Sequence, residues 1–542
     1  MQSFHLHIVP RYMTLFLLVL LASGSCLAQE EVRVMTWNIW HGGREDGKEV
    51  GPQRVVEVIR ESKADIIAMQ ETYGSGEIIS KGLGFHFHER GTNLSIHSRF
   101  PVLEDISVFE AFKCIGALIE LPGGHRVAFY SIWLPYGEDI WLPGVRAKRS
   151  DEQLQAACEP SAADLEKMLA AIEERLSADK YQDVSIVIAG DFNSMSPNDY
   201  ASAFTDQFER RIEWRTGSIL LDHGFRDTYR EANTRVDREQ DSTWSPKFPE
   251  QEQDRIDFIF CKSQHLETDS SKVIRNHPIK FPSDHAAVLT TMAMKEPADS
   301  SVAESMQAMS YNIRHGVGTD YKLDLKRIAK VINEQSPDFV ALQEIDMRAK
   351  RSGGVNQIVE LGEITEMHPA FGAFMDYQGG RYGMGMLSRF PIKSSQSVRL
   401  PDGNEPRIAL AVEVILPGGQ PLMVVDVHFD WVSDDKYRWQ QAEVVREFLN
   451  TLGGPYVLLG DFNDRKGSRT LKLLSENEME AAKPESDRFT IPADKPRSEI
   501  DFVFVGPKSA WESASGKVVA EPLASDHRPV VAELTLKPTG SQ

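Results

Sequence analysis

Two stretches, VSIVIAGDFN and PYVLLGDFN, each end an apolar run on an Asp and an Asn two residues apart: Asp191/Asn193 and Asp461/Asn463. A carboxylate at the mouth of a buried strand can orient or deprotonate water, and a nearby amide can donate to a charged oxygen. The C-terminal half adds Asn312, Glu344, His428, Asp501, Asp526 and His527, each beside a hydrophobic run. Gathered at one sheet edge, such carboxylates would repel by about 4 kcal/mol per pair at ~4 Å and an effective dielectric of ~20. A hard divalent cation removes that cost, and oxygen ligands suit Mg²⁺, with Mn²⁺ or Ca²⁺ as alternatives. No Cys or paired-His arrangement has zinc spacing. These parts suit hydrolysis of a phosphoester: a cation polarises the phosphoryl oxygen, a carboxylate handles the water, and a histidine moves protons or stabilises charge.

The doubled motif belongs to a doubled chain. VRVMTWNIWHGG matches MQAMSYNIRHGVG, ADIIAMQETY matches PDFVALQEID, LSIHSRFPV matches GMLSRFPI, DRIDFIF matches SEIDFVFV, and PSDHAAVLT matches ASDHRPVVA, in the same order. The offset falls from 274 at Asn38/Asn312 to 242 at Asp284/Asp526, so loops are shorter in the second copy. The largest difference follows GDFN, where the first copy carries a polar insert around TRVDREQDSTW. A period this long means two full domains rather than a solenoid. The expected divisions are a signal peptide over 1–28, a first domain over 30–296, a polar linker over 297–305 and a second domain over 306–538.

The elements that must position these residues alternate. VRVMTWNI, ADIIAMQ and VSIVIAGDFN read as strands. QRVVEVIRES, LKRIAKVINEQ, DLEKMLAAIEERL and RWQQAEVVREFL show helical spacing. The mixture predicts layered α+β domains with polar motif residues at strand ends.

An N-terminal Asn, then QE, GDFN, IDF and SDH in that order, twice, resembles the endonuclease/exonuclease/phosphatase superfamily, the deoxyribonuclease I-like group. The resemblance covers nearly all of the mature chain. It implies a four-layer αββα sandwich in each half. It also implies that Glu71 and Glu344 hold the metal with Asn38 and Asn312, with Asp284 and Asp526 near it. Asp191 and Asp461 would handle water, and Asn193 and Asn463 would contact the phosphate. His285 and His527 would face the phosphate, braced by Asp257 and Asp501. Thr243 and Thr490 occupy the family's Thr position before the IDF strand, as substrate-side candidates.

The copies part at one strand. PLMVVDVHFDW ends at His428, the candidate general acid or transition-state stabiliser, whereas HRVAFYSIWLPYG puts Trp133 there. Indole cannot pass a proton. The first domain is then a degenerate copy, an active one using nearby Tyr136, or one in which Trp133 stacks on substrate; a packing Trp is the plain alternative. His41 and His315, three residues after the Asn, and Arg381 and Tyr382 in QGGRYGMG are further candidate substrate contacts.

Sixty Lys and Arg against 80 Asp and Glu give a net charge of −20. That disfavours broad grip on nucleic-acid phosphates and mildly favours small or lipid phosphodiesters, without excluding a metal-loaded nuclease. Arg11, an apolar stretch from Met13 to Ala22 and small residues up to Ala28 form the layout of a secretory signal. The stretch is short for a ~20-residue span; an uncleaved anchor and a lipid-modified Cys26 are the alternatives. The other three cysteines read as buried apolar residues. The sequence thus predicts an exported, divalent-metal-dependent phosphoesterase acting on a phosphodiester or monoester, with no stable membrane span and no protein partner implied. The competing reading is a non-catalytic phosphoester-binding protein, or one inactive domain supporting an active one.

Overall fold

The computed structural model describes residues 31–295 and 303–538, apart from Glu209 and Gly418. The expected signal peptide and most of the expected linker lie outside the described residues. The second domain begins earlier than expected: Glu304 and Ser305 already belong to the strand Glu304–Asn312 and pair with Leu536 and Thr535.

Each half holds two six-stranded sheets of the same order. In the first half, Glu31–Asn38 lies parallel to Ile66–Gln70 at the centre of one sheet, and Arg126–Trp133 lies parallel to Ser185–Asp191 at the centre of the other. The second half repeats this with Glu304–Asn312 beside Phe339–Met347, and Pro421–His428 beside Tyr456–Asp461. These central strands are apolar on both faces because both are covered. Between the first half's sheets lie Val34, Ile66, Ala117, Phe129 and Val187. The helix Val50–Ser62 packs its Val55 and Ile59 on the outside of one sheet, and Asp151–Arg175 packs Leu165 and Met168 outside the other. The second half places Leu325–Gln335 and Lys436–Thr451 likewise. Each domain is therefore a four-layer αββα sandwich. Cys114, Cys158 and Cys261 are buried and free.

The insert of the first domain has a structural role. It contributes the helices Thr228–Ala232 and Arg238–Asp241, whereas Arg215–Asp222 has its counterpart in Arg469–Leu474 of the second domain. Val236 of the insert and Phe204 just before it share one buried cluster with Phe371 and Met367 of the second domain. Asp206 pairs with Arg348 at 2.6 Å across the same junction, and Asn356 donates to the Ala203 carbonyl at 2.9 Å.

Candidate active site

GDFN uses all four residues. A Cβ at Gly190 would sit 2.0 Å from the Ile132 carbonyl oxygen, and one at Gly460 would sit 1.9 Å from that of Val427, so only glycine lets the parallel strands approach. Phe192 and Phe462 are buried, edge-on to Phe258 and to Phe502 and Phe504. Asn193 and Asn463 turn the chain at φ 44° and 47°, and each N–H donates to the preceding Asp Oδ1, at 3.0 and 2.9 Å. The Asp is left at the strand end, aimed by a packed Phe before the turn.

Cross-strand register does the gathering. Asp461 is paired with His428 on one side and Asp501 on the other; Asp191 stands likewise between Trp133 and Asp257. From the facing sheet, Asn312 Nδ2 donates to Asp461 Oδ2 at 3.2 Å and to Glu344 Oε1 at 3.1 Å. Asn38 does the same for Asp191 at 3.1 Å and Glu71 at 3.3 Å. Ser525 and Ser283 donate to the Asn312 and Asn38 carbonyls at 2.7 Å, clamping the SDH loop over the same strand end. Glu344 is the extra residue of a bulge between Gln343 and Ile345, at φ 62°; Glu71, just past its strand, has φ 55°. Left-handed backbone at the matched Glu, Asn and His positions of both copies is strain kept where side chains must be aimed.

Electrostatics separates the groups. His527 Nδ1 lies 3.0 Å from Asp501 and its Nε2 lies 3.7 Å from Asp461. Burial alone would lower this imidazole, but the Asp501 and Asp461 carboxylates push it up to about 10. His285 is the same, 2.9 Å from Asp257 and 4.0 Å from Asp191, also pushed up to about 10. Burial pushes Asp461 and Asp191 up to about 7, with Asp501 and Asp257 adding to it. His428, 3.6 Å from Asp461, goes the other way: burial, Arg407 and His527 hold it well below the ordinary imidazole value. The second site thus pairs a cationic His527 with a neutral His428, a division that assigns acid and base.

A hard cation fits both sites. Asp284 Oδ1 is buried without a hydrogen-bond partner, and burial with the Glu71 charge raises this carboxyl to about 6. Glu344 is raised by burial and by Asp526. Each site therefore holds two mutually repelling carboxylates beside an Asn, an oxygen-donor set that a divalent cation would relieve. Asp191, Asp257 and His285, like Asp461, Asp501 and His527, also crowd within 4.8 Å. Their histidine Nδ1 faces the IDF carboxylate, so these triads are acid–base groups rather than a cation cage.

The remaining candidates fall unevenly. His315 is largely buried, 4.0 Å from Glu344, and burial with Arg351 lowers it to about 4; His41 points out and meets Glu45 at 3.0 Å. Arg381 reaches Thr205 at the domain junction, at 3.3 Å, rather than turning to the second site. Tyr382 packs edge-on to Phe374 inside the second core, near enough to Glu344 for the carboxylate to raise its hydroxyl further. Thr243 Oγ1 accepts from the Ile256 and Asp257 N–H groups at 2.9 and 3.1 Å; Thr490 Oγ1 accepts from Ile500 N–H at 3.4 Å. Both hydroxyls hold the IDF strand. Asn193 and Asn463 Nδ2 donate to the Leu134 and Phe429 carbonyls at 2.9 and 3.0 Å. Tyr136 is half exposed and feels Asp191 and Glu71; Trp133 is half-buried, edge-on to Phe112 at 5.5 Å.

Two residues of the second site escape the motif reading. Arg407 is 1% exposed, yet its Nε and Nη1 have no partner, and its charge acts on His428 and Glu344. Asp426, fully buried, has its carboxyl pushed well above the usual carboxylate range by burial and by Asp461, and it accepts from Gln343 Nε2 at 2.6 Å. Aligning EPRIALAV with EAFKCIGA would have exposed the first as a charge beside an apolar strand.

Acid–base pairs, a cation-ready carboxylate pair and an αββα frame define a phosphoester hydrolase class of site. The sequence profile of the Endonuclease/Exonuclease/phosphatase family matches residues 35–285 and again 309–527, and the chain belongs to that family, in two tandem copies. Its members act on phosphoesters. An uncharacterized protein of Caenorhabditis elegans is 27% identical over 315 residues, 51% of this chain and 96% of that protein. A family structure from Beutenbergia cavernae is 23% identical, covering 43% of this chain and 72% of its own, with a TM-score of 0.36. A mannosyl-6-phosphatase from Bacteroides thetaiotaomicron is 19% identical, covering 42% and 99%, also with a TM-score of 0.36.

Proposed function

We propose that this protein is an exported, divalent-metal-dependent phosphoesterase whose second domain carries the complete catalytic set. The observation that carries the reading is the Asp461 carboxylate, held by Asn312 and flanked by a neutral His428 and a cationic His527. Glu344, Asn312 and Asp526 would hold the cation, which when bound polarises a phosphoryl oxygen and neutralises its charge. Asp461 and the neutral His428 orient the attacking water and take its proton. His527, kept protonated by Asp501, donates to the leaving or phosphoryl oxygen. Arg407 Nε and Nη1, unpartnered and buried, are donors for phosphoryl oxygens. The phosphorus–leaving-oxygen bond breaks as the water oxygen bonds to phosphorus, and the leaving oxygen departs with a proton.

Purified mature protein with Mg²⁺ or Mn²⁺ should hydrolyse at least one of bis-p-nitrophenyl phosphate, DNA, RNA, sphingomyelin or an inositol phosphate. Turnover of none of them would end the reading. Export is supported by the N-terminal apolar run and small residues; a secreted or periplasmic product beginning near Gln29 is the expected result of N-terminal sequencing. A second reading, that the first domain contributes binding more than turnover, is favoured by Trp133 at the position of His428.

A further inference from the structure

The two sites differ in the same sense at four of their matched positions, while at a fifth both carry an exposed ring, Tyr136 in the first and Trp431 in the second. Trp40 stands where the second domain has Arg314, Tyr73 where it has Asp346, Phe112 where it has Arg407, and Trp133 where it has His428. The last two matches are fixed by sheet register. Cys114 opposite Ile132 corresponds to Ala409 opposite Val427, so Phe112 and Arg407 fall two residues before equivalent pairs. Charged or proton-passing side chains in the second site are thus Trp, Tyr and Phe rings in the first.

These rings stand at the first site. Phe112 is tied to the Glu71 backbone through one residue: Asn93 donates to the Phe112 carbonyl at 2.8 Å and accepts from Glu71 N–H at 3.1 Å. Trp133 is the strand partner of Asp191 and meets Phe112 edge to face at 84°. Tyr73 and Tyr136 both lie within reach of the Glu71 charge. Phe112 is 42% and Tyr136 46% exposed, so ring surface is open to a ligand rather than spent on the core. The cluster also removes two polar donors from the wall that in the second domain faces the phosphate.

We propose that the first site is selective for phosphoesters carrying a planar aromatic group next to the phosphate, with Trp133 and Phe112 as the specificity-determining wall. The proposal rests on the phosphoesterase reading of both sites. A ring stacked on Trp133 gains dispersion and desolvation that an alkyl group of the same charge does not. A nucleobase and a simple aryl ester share this chemistry.

The test uses full-length protein in which Asp461→Asn silences the second site, and Asp191→Asn as its mirror. Both are assayed with Mg²⁺ on ethyl phenylphosphonate and ethyl ethylphosphonate, which release the same non-aromatic leaving group, ethanol, and differ only in the ring. The expected result is a phenyl-over-ethyl ratio in kcat/KM on the order of tenfold higher at the first site, carried by KM. Trp133→Ala in the Asp461→Asn background should erase that preference, and Trp133→Phe should restore it. Thymidine 5′-(ethyl phosphate), whose only ring system next to the phosphate is the nucleoside, distinguishes a base from an aryl ring: greater gain than phenyl assigns a nucleotide, equal gain a general aryl group. Equal ratios at the two sites, or a Trp133→Ala loss equal for both esters, would overturn the proposal. Should the Asp461→Asn protein not turn over, calorimetry with phenylphosphonate and methylphosphonate replaces kinetics. A phenyl preference that vanishes with Trp133→Ala then supports selectivity even if hydrolysis fails, and equal affinities overturn it.

Discussion

Two domains built on one plan carry the same carboxylate, asparagine and histidine positions, yet their walls differ. In the second, Asp461 sits 3.6 Å from His428, with the buried Arg407 guanidinium behind it, paired to Glu405 through Nη2 and without partners at Nε and Nη1. In the first, Asp191 faces Trp133 and Phe112, and its only imidazole neighbour within 4.0 Å among the described residues is His285. The parts that must be charged for any phosphoester chemistry were kept; the parts that decide what lies next to the phosphate were exchanged together. Duplicated sites separate most easily at such wall positions, because strand-end carboxylates depend on register shared by the whole sheet, whereas wall residues can change at the cost of local packing.

The comparison is broken most directly by removing the cation. A chelator should abolish turnover at both sites, with Mg²⁺ or Mn²⁺ restoring it; activity surviving chelation would mean that neither carboxylate pair serves a metal. Asp461→Asn should lower the total rate on a simple diester by 10²–10⁴-fold, on the order of a lost general base. If most of the rate survives, the first domain is the main site. Arg407→Met keeps bulk but removes the donors, and should cost on the order of 10–100-fold in kcat/KM through lost charge-assisted hydrogen bonds. A matching loss from Phe112→Ala on an alkyl diester would show that the two walls do equivalent work. Gly190→Ala and Gly460→Ala should each destabilise their domain by about 1–3 kcal/mol, read from denaturant melts, because a Cβ meets a carbonyl oxygen. The smallest contrast is between threonines. Thr243→Val leaves two buried N–H groups unpaired and Thr490→Val one, so the first should cost more, by about 1 kcal/mol.

Much of this was legible beforehand. Five motifs in order, twice, named the strands that end at the site, and the amphipathic runs named the outer helices. What the motifs missed has a common cause. Arg407 and Phe112 lie just ahead of Ile408–Ile415 and Cys114–Glu120, strands with no signature of their own, and Asp426 lies two residues before His428 with its side chain turned to Gln343; their importance comes only from the strands beside them. Arg381 and Tyr382 looked like glycine-loop phosphate contacts, but Gly380–Ser388 is a strand; it sends Arg381 to the neighbouring domain and Tyr382 into the core. Thr243 and Thr490, placed among substrate-side residues, spend their hydroxyls on backbone N–H groups because the turn before the IDF strand leaves those donors without a sheet partner.

Sequence by itself determined the duplication, the layered architecture and the identity of the Asp, Asn, Glu and His residues at the strand ends. Those follow from residue type and local period, which a linear chain displays. Tertiary structure decided which imidazole is charged, which carboxylates repel strongly enough to suit a cation, and which side chains form each site's wall. Those depend on burial and on neighbours set far along the chain or across a turn, such as Asn312 at Asp461, 149 residues on, or Trp133 at Phe112 across a hairpin, and no local pattern carries them.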